Sequence, residues 1–125
     1  QQYGAFELAE GVNLNGENTL DENAGDLVGI EIAYRALQNR LKKSAMAIQD
    51  GYSPEQRFFI GFAQIWRYKS AKKENAQLTM TSYSPPEFRV LGALANTDAF
   101  YQAFAVEPHH NMYLLPEKRV KIWSK

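Results

Sequence analysis

Between Leu20 and Lys43 apolar residues recur at three- and four-residue intervals: Leu20, Ala24, Leu27, Ile30, Ala33, Tyr34, Leu37 and Leu41. That period lines them along one face of a long α-helix. In a chain of 125 residues, so long a stripe commits the fold to packing other elements against it. Lys42 and Lys43 fall in the last turn, where cations suit the helix dipole. Gly25 and Gly29 interrupt the pattern. Each costs about 1 kcal/mol relative to alanine, so a compensating close approach of a neighbouring backbone is expected there.

A second helix has a clear start. Ser53 is the expected N-cap, Pro54 takes the first helical position, and Gln56 completes a capping box. Phe58, Phe59, Phe62, Ile65 and Trp66 follow, so this helix is expected to lie in the core. A shorter helix is expected over Lys72 to Thr81. Ser84-Pro85-Pro86 ends it with a rigid turn, because neither proline can donate to a helical ladder. Asn96 or Thr97 is placed to cap a last short helix carrying Phe100, Ala103 and Phe104. Gln1 to Asn18 reads as loop with one short extended piece. The tail from Pro108 is irregular and ends in alternating Val120, Ile122 and Trp123. The fold class is therefore mainly α, with a loop-rich N-terminal segment and an extended tail, forming one domain or a piece of a larger one.

Fourteen Lys and Arg balance fourteen Asp and Glu. This disfavours a strongly basic nucleic-acid binder. The absence of cysteine excludes disulfides, thiol catalysis, cysteine-based zinc fingers and iron–sulfur ligation. No apolar run approaches the roughly 20 residues needed to cross a bilayer. The chain opens on Gln1 rather than Met, which leaves room for residues before it.

Glu22 and Asp26 stand four apart on the first helix and share a face. The face continues as Ile30, Ala33 and Leu37, so two carboxylates open an apolar stripe. Such a pair is costly unless something compensates it. One candidate is a metal, or a histidine held to one. The other reading is local: Thr19 and Glu22 fit a capping box, and acids in a first turn suit the dipole. Tyr83 and Arg89 flank the proline turn. Arg89 can fork a carboxylate or carbonyl, and Tyr83 can donate to a developing oxyanion. Alternatively the segment is a structural turn with a surface arginine. His109 and His110 are adjacent and read as solvated loop. His-Glu-x-x-His, Gly-x-Ser-x-Gly, P-loop and dinucleotide motifs are all absent.

Taken together, six stretches resemble the C-terminal part of the neprilysin-like (M13) zinc metallopeptidases, in their bacterial endopeptidase O branch. Gln2-Tyr3-Gly4-Ala5-Phe6-Glu7 is similar to the family's Gln-Tyr-x-Ala-Phe-Glu. Asn15-Gly16 followed by Thr19-Leu20-Asp21-Glu22-Asn23-Ala24-Gly25-Asp26 resembles Asn-Gly and Thr-Leu-Gly-Glu-Asn-Ile-Ala-Asp. Phe58 to Trp66 follows the family's aromatic helix almost residue for residue. Ser84-Pro85-Pro86-Glu87-Phe88-Arg89-Val90 is similar to its His-Ser-Pro-x-x-Phe-Arg block without the histidine. Asn96 to Phe104 and Pro116 to Trp123 resemble the remaining helix and the C-terminus.

The resemblance implies a zincin-like catalytic domain of which residues 1–125 form the C-terminal part. It implies Glu22 as the third zinc ligand and Asp26 as hydrogen-bond partner of a zinc-binding histidine. Arg89 would bind a substrate peptide carbonyl, and Trp66 and Val90 would stand near the pocket for the side chain after the scissile bond. The His-Glu-x-x-His helix would lie upstream of Gln1. One glutamate does not make a zinc site, which needs three protein ligands, so this chain alone is expected to be inactive. Its expected partners are the upstream portion of its own chain and a peptide substrate, with self-association through the apolar surface that separation exposes. An extracytoplasmic setting is implied by the family. Tyr83 stands where the family has an oxyanion-stabilising histidine, and losing such a donor typically costs on the order of 10² to 10³ in rate. The alternative is a stand-alone, non-catalytic helical module that binds peptides or serves as a scaffold.

Overall fold

The computed structural model describes residues 1–69 and 82–122. The helix expected over Lys72 to Thr81 and Trp123, the last of the alternating tail residues, lie outside these. Among the described residues the architecture is mainly α: α1 (Leu20–Lys43), α2 (Pro54–Ile65), α3 (Pro86–Ala95) and α4 (Asp98–Phe104). They follow a small antiparallel hairpin, β1 (Glu7–Ala9) and β2 (Val12–Asn13). Gly11 makes the hairpin turn with φ +72°, and its N–H donates to Glu7 Oε1 at 2.8 Å.

α1 runs over the expected span, with Asp21 and Glu22 in its first turn and Arg40, Lys42 and Lys43 in its last. Its start differs from the expected capping box. Thr19 is fully buried and makes no side-chain cap bond. Its hydroxyl instead donates to Asn15 O at 3.2 Å and accepts from Asn23 Nδ2 at 2.9 Å. The buried hydroxyl serves the tertiary network because its partner Asn23 in turn accepts from Ser84, distant in sequence. Gly25 and Gly29 also differ from expectation, since a Cβ at either would meet nothing within 4 Å. The close approaches are elsewhere. A Cβ at Gly16 would sit 2.8 Å from Gly4 N, and one at Gly92 would overlap the Tyr3 ring.

α2 begins with the expected capping box: Ser53 Oγ accepts from Gln56 N–H at 3.2 Å, and Gln56 Oε1 accepts from Ser53 N–H at 3.0 Å. Gln56 Nε2 also donates to Ala103 O at 2.9 Å, tying the start of α2 to α4. The core gathers Ile30, Phe59, Leu94, Phe100 and Tyr101. Phe59 is its centre, 1% exposed, with ring centroids of Tyr34, Phe58 and Phe100 at 5.3, 5.1 and 5.7 Å. Offset and edge-on rings at such spacings add to the area they bury. The rest of the α2 stripe is less covered than expected. Phe58, Phe62 and Trp66 are half-buried and Ile65 is 78% exposed.

Thr97 is the N-cap of α4, though its hydroxyl donates back to Ala93 O at 2.9 Å rather than capping. The tail is irregular rather than extended, with one turn of 3-10 helix at Pro116–Lys118, and it is anchored. Arg119 lies 3.6 Å over the Tyr101 ring, donates through Nε to Leu114 O at 2.8 Å and pairs through Nη1 with Asp98 at 2.9 Å. Asn96 Nδ2 donates to Gln2 Oε1 and Gly92 O, both at 2.7 Å, and its Oδ1 accepts from Val120 N–H at 2.7 Å. One buried amide thus joins the N-terminal segment, α3 and the tail.

Two outcomes follow from this packing. Gly25→Ala and Gly29→Ala should each stabilise the chain by about 0.5–1 kcal/mol in thermal or urea unfolding, since helix propensity rises with no clash. The Lys121 ion pair, assisted by Arg119 and opposed by burial, holds the Asp98 carboxyl below its ordinary range. A depressed carboxylate stabilises fully above its unfolded value, and that stability is lost as pH falls through the lower folded value. Asp98 is half exposed, so its effect is at most about 1 kcal/mol. The protection factor of the Val120 amide, its rate corrected for intrinsic exchange, should fall below about pH 4, and Asp98→Asn should remove that dependence.

Candidate active-site constellation

The geometry around α1 and α3 starts from a buried polar relay. Ser84 Oγ donates to Asn23 Oδ1 at 2.8 Å, while Asn23 Nδ2 donates to Thr19 Oγ1. Thr19, Asn23 and Ser84 are all 5% exposed or less. The relay pins the residue before the two prolines onto the first turn of α1. Pro85 and Pro86 then launch α3 directly, since proline suits a first helical position. Arg89 therefore arrives one turn later, beside Asp26, which lies one turn beyond Asn23.

The contact is a two-toothed fork. Arg89 Nε donates to Asp26 Oδ2 at 2.5 Å and Nη2 donates to Asp26 Oδ1 at 2.6 Å. Nη2 also lies 3.5 Å from Glu22 Oε2. The Arg89 and Asp26 side chains are only 11% and 9% exposed, whereas Glu22 is 39% exposed. The indole of Trp66 covers the guanidinium, its centroid 4.1 Å from Cζ. Bonding to Asp26 raises the Arg89 pKa above its ordinary value; burial opposes this, and the charges of Asp26 and Glu22 reinforce it. The guanidinium is therefore always charged. Among the described residues nothing accepts from its Nη1.

Five of the six residues singled out from the sequence thus gather here. Glu22, Asp26, Arg89 and Trp66 touch in sequence as described. Val90 and Trp66 line a cleft of about 430 Å³ with Leu8, Pro86, Phe88 and Leu91. Tyr83 lies just before the relay serine and is 53% exposed. His109 and His110 are exposed, far along the chain from this cluster, and Glu107 N–H donates to His110 Nδ1. Sequence reasoning missed that Arg89 itself compensates the α1 carboxylates. The signal was present, since two acids on an apolar face need a cation and Arg89 follows a turn-forming Pro-Pro pair. It also missed Asn23, Ser84 and Tyr3, whose roles arise only from contacts distant in sequence.

A family model described as peptidase family M13 matches residues 1–120. The chain belongs to peptidase family M13. It is 40% identical to rabbit (Oryctolagus cuniculus) neprilysin over 129 residues, covering 98% of this chain and 17% of that protein. Human neprilysin is 39% identical with the same coverage, and mouse endothelin-converting enzyme 1 is 36% identical, with 98% of this chain and 16% of that protein covered. Among solved structures, Mycobacterium tuberculosis zinc metalloprotease Zmp1 in complex with an inhibitor superposes with a TM-score of 0.88 at 40% identity. The match covers 98% of this chain and 20% of that one. The same enzyme in its open state gives 0.88 at 39%. The chain thus spans about a fifth or less of the relatives it matches.

Asn23→Ala should lower stability by about 2–3 kcal/mol in urea unfolding, because it strands the buried Ser84 hydroxyl and takes away the donor to Thr19 Oγ1, whose own bond to Asn15 O remains. Asn23→Asp should be less damaging than Asn23→Ala, since it keeps the acceptor for Ser84.

Proposed function

We propose that this M13 chain is the C-terminal part of the catalytic domain of a zinc-dependent endopeptidase or oligopeptidase, inactive by itself. The observation that carries the reading is the state of the two carboxylates. Asp26 is forked by Arg89, whereas Glu22 keeps an oxygen without a partner among the described residues and open to solvent. An unclaimed carboxylate oxygen fits a zinc ligand. Among the described residues no three His, Cys, Asp or Glu converge to hold a metal, so Glu22 would be one ligand and the remainder of the polypeptide would supply the others. When bound, zinc supplies an activated water for attack on a peptide carbonyl.

The chain's own residues then have separable tasks. Arg89 is fixed by two bonds to Asp26 and by the Trp66 ring, so its Nη1 can meet a substrate carbonyl without losing conformational freedom at that moment. Asp26 holds the guanidinium and, through a second lone pair, can accept from a ligand histidine. Trp66 and Val90 form an apolar wall for the neighbouring substrate side chain. Tyr83 stands where the family carries a histidine and can donate a neutral hydrogen bond to developing negative charge.

The principal partner would be the rest of the same polypeptide. Exposed Ile48, Ile65 and Tyr68 are apolar surface for it to cover, and in the separated chain that surface favours self-association. An extracytoplasmic setting is part of the proposal and comes from the family; among the described residues no helix is long and apolar enough to cross a membrane. A rival reading, a non-catalytic peptide-binding module, draws on Tyr83 in place of the histidine.

The test joins the chain to the remainder of its polypeptide. The product should hydrolyse peptides, lose activity to a chelator and regain it with zinc. Glu22→Gln should reduce kcat/KM by about 10³ or more and lower zinc stoichiometry. The 125-residue chain alone should show no zinc-dependent hydrolysis. Full zinc content and activity in Glu22→Gln would contradict the reading, and a joined protein that neither binds zinc nor cleaves peptides would favour the module.

A further inference from the structure

Tyr3 is a half-buried phenol that the tasks above do not use, yet it lies close enough to the acid–arginine pair for Asp26 and Arg89 to act on it electrostatically. Its ring lies on α3 at Gly92, where a Cβ would overlap Cζ and Oη and stand 2.8 Å from Cε1. Gly92 follows Arg89 by three residues and shares its helix face. Burial, and secondarily the Asp26 carboxylate, push the Tyr3 phenol well above its ordinary value, with Arg89 opposing. The hydroxyl makes no hydrogen bond among the described residues, so packing holds the ring there.

The segment on each side of Tyr3 is tied to α3. Before it, Gln2 Oε1 accepts from Asn96 Nδ2 at 2.7 Å. After it, Phe6 stacks on Phe88 with centroids 4.6 Å apart and rings 4° from parallel, and Phe88 precedes Arg89 in sequence. Tyr3 packs edge-on against Phe6 at 5.4 Å. A side chain clamped on both flanks and seated in a notch that only glycine leaves acts as a wedge, not as loose packing.

We propose that Tyr3 is a positioning residue: seated on Gly92, it sets α3 against α1 so that Arg89 forks Asp26 and keeps Nη1 free for substrate. The kinetic part rests on the reading of Arg89 as the donor to a substrate carbonyl; the structural part does not.

The experiment uses the complete polypeptide, labelled at arginine nitrogen, as wild type, Tyr3→Phe, Tyr3→Leu and Gly92→Ala. Tyr3→Phe should match wild type. Tyr3→Leu should raise KM for a peptide about tenfold while kcat per zinc-loaded site stays within about twofold, the pattern of lost substrate binding. The Arg89 Nε–H should lose its protection from exchange, while the Arg119 Nε–H, bonded to Leu114 O, keeps its own. Gly92→Ala pushes from the other side of the contact and should give the same KM and exchange changes, which covers the case in which Tyr3→Leu does not fold. A lower Tm in either folded variant with KM and Arg89 exchange unchanged would overturn the proposal, leaving Tyr3 as packing alone. If wild type shows no peptidase activity, it is the functional reading that fails, and the Arg89 exchange alone decides the role of Tyr3.

Discussion

The fork from Arg89 to Asp26 is what the surrounding structure is organised to satisfy. A guanidinium and a carboxylate, each about a tenth exposed, are tolerable together and costly apart. The pair fixes both the spacing and the phase of α1 against α3. The Thr19–Asn23–Ser84 relay and the two prolines deliver Arg89 to that point, and Trp66, just past the end of α2, stacks on the guanidinium. The aromatic core around Phe59 lies behind this seam and holds α2 and α4 in register with it.

The same arrangement accounts for the unequal states of the two α1 carboxylates. One helical turn separates them, yet Asp26 points into the seam and Glu22 stands at its mouth, where Arg89 reaches it at only 3.5 Å. A site needs a rigid part and an available part. Here rigidity comes from the fork, and availability from the remaining oxygen of Glu22 and the remaining nitrogen of Arg89. The proposed contribution to a larger catalytic centre would use both.

Much of the fold was legible in the sequence wherever the governing physics is local. The helical span of α1 and the Ser53–Gln56 capping box depend on residues a few positions apart, and they stand as read. Of the α1 stripe, however, only Ile30 is fully buried, while Leu20 and Ala33 are exposed. The two prolines, read as ending a helix, start α3, a helix not among those expected. The misreadings share one cause. Thr19 has the composition of an N-cap but is drawn into a network with Asn23 and Ser84, the latter distant in sequence. Gly25 and Gly29 suggested close approach, while the close contacts fall at Gly16 and Gly92, whose partners Gly4 and Tyr3 come from the opening segment. The acidic pair announced that a partner was required without saying which, because a metal, a histidine and an arginine answer the same electrostatic demand. Family resemblance narrowed the roles, and the fold then supplied the pairing that neither spacing nor periodicity contains.

The most direct test of this account is a double-mutant cycle across the seam, using Asp26→Asn and Arg89→Met so that volume is nearly conserved. If the fork organises the α1–α3 interface, each single change should be strongly destabilising, and the two together little worse than either. The coupling energy from urea unfolding should then be about 3 kcal/mol. A coupling below about 0.5 kcal/mol, with the two effects simply adding, would mean that the helices are held by apolar packing alone and that the fork is incidental.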